Sequence, residues 1–116
     1  MRRFAPILAT FLVLPSAAPA HGDDDGTICD TGPITRIYGN APWQVYSCRD
    51  RQSVLFVSTP TSDGTRGFFA FVPHNGKYKL HSESDEMEAM FSPAYEEIKL
   101  LTPEDIAELI AATEAQ

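Results

Sequence analysis

From Ile34 onward the chain alternates. Residues 34–38, ITRIY, set Ile37 against Arg36 and Tyr38. Residues 43–48, WQVYSC, set Trp43, Val45 and Ser47 against Gln44, Tyr46 and Cys48. A period of two predicts strands with one buried face. SVLFVS at 53–58 and GFFAFV at 67–72 are short apolar runs rich in β-branched and aromatic residues, which favours strands over helices. KYKLH at 77–81 places Tyr78 and Leu80 on one face and Lys77, Lys79 and His81 on the other. Turn chemistry separates the runs at residues 30–33, 39–42, 49–52 and 59–66. Asn75-Gly76 is the strongest hairpin signal, because a type I′ turn needs positive φ at both central residues. The middle of the chain therefore reads as an antiparallel meander of about four strands. Phe68, Phe69 and Phe71 cannot share a face, so at least one belongs to the side opposite the core.

After His81 the period changes. Met87, Met90 and Phe91 recur at helical spacing over one or two turns. Ser92-Pro93 and Thr102-Pro103 each predict an N-cap followed by proline at the first helical position. Tyr95, Ile98 and Leu101 follow the first start; Ile106, Leu109 and Ile110 form a stripe after the second. Glu104 and Asp105 suit the positive end of the last helix dipole, and Glu108 and Glu114 fall on its water side. Such a stripe needs a partner, and one face of the sheet supplies it. Strands followed by helices predict an α+β fold with the C-terminal helices packed on one face.

Composition adds location. Arg2, Arg3, the apolar run to Pro15 and the small residues Ala18 and Ala20 predict a signal peptide over residues 1–20, cleaved before His21. The run is too short, and too broken by Pro6 and Pro15, to span a bilayer, so the product is not expected to cross a membrane. Residues 21–28 read as a mobile acidic tail, and residues 29–116 as one small domain. Losing Arg2 and Arg3 leaves seven basic residues against sixteen acidic ones, a net charge of −9. That charge argues against nucleic-acid partners. Cys29 and Cys48 are the only cysteines, so one disulfide is expected, consistent with a periplasmic or secreted protein.

Candidate chemistry is sparse. A mature N-terminal His21 would offer an α-amino and an imidazole nitrogen to Cu(II), with His74 or His81 as further ligands. Asp23 to Asp25 share only composition with a calcium loop, which needs oxygens at alternate positions. Glu83, Asp85, Glu86 and Glu88 cluster near His81, but acid–base catalysis needs a cleft and separated pKa values. No Gly-x-Ser-x-Gly or phosphate-cradling glycine motif occurs, and no cofactor is implied.

Cys29 to Tyr38 with the spacing C-x4-I-x3-Y, WQVYSC at 43–48 and LTPEDIAEL at 101–109 together resemble small exported bacterial proteins of no assigned function. That resemblance implies a domain type and no activity. YSCRDRQSVLFVS and GKYKL resemble strands of periplasmic C-type lysozyme inhibitors. Those are β-barrels with a serine-rich inhibitory loop, which this chain lacks; it has helices at its end instead. The expectation is an exported, non-enzymatic binding or envelope-associated module with an unidentified protein or small-molecule partner. Copper binding and inhibition of a wall hydrolase are the alternatives.

Overall fold

The computed structural model describes residues 28–116. Five strands follow one another, β1 (Thr31–Tyr38), β2 (Ala41–Ser47), β3 (Val54–Ser58), β4 (Phe68–His74) and β5 (Lys77–Ser82). They form one antiparallel sheet in the order β1-β2-β3-β4-β5. Three helices complete the α+β fold, α1 (Asp85–Met90), α2 (Ser92–Ile98) and α3 (Pro103–Glu114). The predicted leader and most of the predicted acidic tail lie outside the described residues. No helix among the described residues is long and apolar enough to cross a membrane.

The sheet has five strands rather than about four because every alternating run finds a partner, including the N-terminal one. β1 also starts earlier than the alternation suggests. Residues 31–33, read as a turn, pair with β2 through a register shift between Thr31 and Ile34. That irregularity is a bulge, which depends on the partner strand and leaves no periodic signal. Ile34 and Tyr38 face inward, while Ile37 is 61% exposed.

Register builds the core. Val45 faces Phe56 and Ser47 faces Val54; on the next pair Val54 faces Phe71 and Phe56 faces Phe69. Ile98, Ile106, Leu109 and Ile110 from the helices close over this inner face. The predicted stripe of α3 is thus buried, and its start matches expectation. The Thr102 hydroxyl accepts from the Asp105 amide, and the Asp105 carboxylate accepts from the Thr102 amide, a reciprocal capping box.

Two expectations need correction. Ser92 is the first residue of α2 and not its cap; Phe91 occupies that position with no side-chain cap. Phe91 is also the C-cap of α1, so the two helices share one joint, and that joint is anchored by the Phe91 ring against Trp43. Met90 does not join a stripe with Met87 and Phe91: it is 55% exposed, whereas the other two pack against the core. Glu108 and Glu114 are exposed on the water side of α3, as expected, and each also meets an arginine. Glu108 pairs with Arg36 at 3.4 Å, and Glu114 receives two hydrogen bonds from Arg51, at 3.0 and 3.2 Å.

A polar contact crosses the core between α3 and β2. The Thr113 hydroxyl donates to the Ile110 carbonyl at 2.7 Å, leaving its oxygen to accept from Ser47 Oγ, also 2.7 Å away. Both side chains are buried, and the pair satisfies groups whose burial alone would be unfavourable. At the far end α2 sits directly on the β1–β2 turn. Gly39 and Asn40 have φ of 58° and 61°. A Cβ on Gly39 would lie 2.5 Å from the Ala94 nitrogen, so only glycine allows that approach. Its amide donates to Glu97 Oε1 at 2.9 Å.

Candidate functional site

The helices do not roof the whole inner face. α3 lies mainly against β1, β2 and β3, α2 against β1 and, through Tyr95 on Phe69, β4, and α1 against β5. α1 meets β5 at its far end, where the Ser82 hydroxyl donates to Glu88. The opposite end of the β4–β5 hairpin projects past these supports toward the Asn75-Gly76 turn, whose φ values of 52° and 77° are those the dipeptide predicts. Between this hairpin end and the α2–α3 connection lies a cavity of about 510 Å³. That volume lies within the range of small-molecule sites.

The local structure explains its lining. Pairing of Phe71 with Leu80 and Pro73 with Tyr78 turns Phe71, Pro73 and Tyr78 to the inner face. There the Phe71 and Tyr78 rings meet edge to face, with centroids 6.2 Å apart. Leu101 and Pro103 flank the capping box that opens α3, and Ile106 follows one turn later. Gln52, Lys77 and Lys99 stand at the rim.

Gln52 is fixed by a side-chain turn. Asp50 Oδ1 accepts from the Gln52 and Ser53 amides at 2.9 and 2.8 Å, and its Oδ2 accepts from Ser53 Oγ at 2.6 Å. Partial burial disfavours the Asp50 carboxylate, but these hydrogen bonds outweigh it and hold its pKa below the ordinary value. The folded pKa is depressed, so this contribution to stability is present above the unfolded carboxylate range. It is lost as pH falls through the folded value. Asp50→Asn is therefore expected to flatten the loss of stability below pH ~4. Urea midpoints measured across that range check this; an unchanged acid dependence would contradict it.

Two further electrostatic features bear on the cavity. Burial, with a smaller effect of the Asp50 charge, raises the Tyr78 pKa, which keeps its phenol protonated and able to donate. Lys99 Nζ lies 2.8 Å from Glu96 Oε1 and 5.6 Å from the Tyr95 ring centroid. The hydrogen bond with Glu96 raises the Lys99 pKa.

The outer face of the sheet is also apolar at its centre. Tyr46, Leu55, Phe68, Ala70 and Val72 are half-buried there, on the side opposite all three helices. Phe68 is thus the aromatic residue expected on this side. Lys77, Lys79 and His81 are exposed along the adjoining β5 edge.

The residues singled out from sequence are dispersed. Cys29 and Cys48 form the expected disulfide, which ties the segment before β1 to the end of β2. His21 lies outside the described residues. His81 is level with Ala70, whereas His74 is four residues further along β4. That separates the two histidines by about 13 Å along the strands, too far to share one ion. No group of three or more His, Cys, Asp or Glu side chains suited to a metal occurs among the described residues. Asp85, Glu86 and Glu88 occupy the first turn of α1 behind the Ser84 cap, where they favour the helix dipole. The cavity residues share no sequence motif: Leu101 and Ile106 belong to helical repeats, Tyr78 to a strand alternation and Gly76 to a turn. No family model, curated protein or solved structure matches the chain.

Proposed function

We propose that the chain is an exported, non-catalytic module that binds a small molecule in the cavity between the β4–β5 hairpin and the α2–α3 connection. The observation that carries this reading is the make-up of that cavity. Carbon surface from Phe71, Pro73, Leu101 and Ile106 is combined with a few polar groups at Gln52, Lys77, Tyr78 and Lys99. Sites of this kind fix a ligand by apolar burial and orient it by sparse polar contacts. Among the described residues the lining offers no carboxylate, imidazole or thiol, which favours binding over acid–base or nucleophilic chemistry. Export rests on residues 1–20 and accords with the disulfide, since such bonds persist in oxidising compartments.

Titration of the ¹⁵N-labelled chain with neutral N-phenyl-1-naphthylamine tests the site. Saturable amide shifts at Phe71, Tyr78, Leu101 and Ile106 are expected. Shifts confined to Tyr46, Leu55 and Phe68 on the outer face, or none at all, would overturn the assignment.

A further inference from the structure

The charge of the cavity runs against the charge of the chain. The protein carries sixteen acidic residues and nine basic ones, yet among the described residues the cavity is lined by two of its three lysines and by no aspartate or glutamate. Lys77 opens β5 beside the hairpin turn and forms no ion pair among the described residues. Strand alternation starts its side chain on the face opposite Tyr78, but it stands at the first residue of β5 and lines the cavity, and its flexible four-carbon stem lets the ammonium reach round to the mouth. Lys99 stands at the C-cap of α2 and is paired with Glu96, but both side chains are exposed, at 44% and 57%. An exposed pair of this kind is weak, so the ammonium is open to a competing anion. The carboxylate that acts on Tyr78, Asp50, is satisfied by Ser53 and Gln52 within its own turn. The Tyr78 phenol adds a hydrogen-bond donor to the lining.

We infer that the cavity takes an apolar molecule bearing one anionic group, its body on Phe71, Leu101 and Ile106 and its anion between Lys77 and Lys99. This rests on the proposed binding function and specifies its ligand class. The apolar floor supplies most of the affinity through area removed from water, and the lysines select the charged end. The acidic remainder of the surface repels anions elsewhere, which sharpens the preference for this position.

Two probes that differ only in a sulfonate test the inference. 8-Anilinonaphthalene-1-sulfonate and its neutral parent, N-phenyl-1-naphthylamine, are titrated against the full chain by fluorescence. The sulfonate is expected to bind about tenfold tighter than the parent, the effect of one or two favourable charge contacts in a partly exposed site. Lys77→Gln together with Lys99→Gln is expected to remove that advantage, bringing the sulfonate's affinity to the parent's, while circular dichroism reports that the variant is folded. Raised salt weakens the sulfonate alone. Equal affinities for the two probes, or a sulfonate preference that survives the double variant, would refute the anionic ligand class while leaving the cavity as a binding site. Failure of both probes to bind there would overturn the site and the ligand class together.

Discussion

Trp43→Ala is expected to lower the unfolding free energy by about 3–5 kcal/mol, the cost of deleting a large aromatic residue from a packed interior. Trp43 is 1% exposed. It stacks on Phe69, with centroids 5.5 Å apart and planes at 27°, and meets Phe91 edge to face at the same separation. One ring therefore joins β2, β4 and the α1–α2 joint. Glycine at position 67 leaves room for this arrangement: a Cβ there would come within 2.8 Å of the Phe91 ring and 3.0 Å of Trp43. Removing the indole leaves a void with stiff walls. Domains of this size have on the order of 5–10 kcal/mol of stability in total, so the variant retains little of it. Urea unfolding followed by circular dichroism gives the measurement. A loss below ~1 kcal/mol would show that the three elements do not depend on this contact.

The second large effect is expected from the Cys29–Cys48 bond. It links residues 19 apart and ties the segment before β1 to the end of β2. Closing a loop of that length restricts the unfolded chain, which corresponds to about 3 kcal/mol of stabilisation in the loop-entropy account. The native segment has further support there, since the Arg49 amide donates to the Ile28 carbonyl at 2.8 Å. Replacing both cysteines by serine should therefore shift the urea midpoint downward, with a slope that holds or rises because the unlinked unfolded chain is more open. A double variant as stable as the parent, or two free thiols in the native protein, would contradict this.

Local features were the legible part of the sequence. The Asn75-Gly76 turn, the Thr102-Pro103 start and the Ile106, Leu109 and Ile110 stripe each arise from a few neighbouring residues, and each appears where expected. The start of β1 was hidden because a bulge is a property of two strands. The cap of α2 was misplaced by one residue because Phe91 is held by tertiary packing with Trp43, which outweighs the local preference for serine. Ser47 shares the face of Trp43 and Val45 in the alternation, but its partner Thr113 carries no sequence signal, because the contact exists only where α3 crosses β2. The cavity is the extreme case. Its lining spans residues 52 to 106, and only the relative placement of the hairpin end and the α2–α3 connection brings them together.

The strand order has a consequence for how the molecule is made. Every strand hydrogen-bonds only to its neighbours in sequence. No segment waits for a distant one before it can pair, so loop-closure entropy is small at each step and the sheet can grow from its N-terminal end as the chain emerges during synthesis. The helices are made last and seal the core, so the growing ribbon keeps one greasy side uncovered until the final third of the polypeptide arrives. That interval is when the nascent protein is most prone to sticking to other chains.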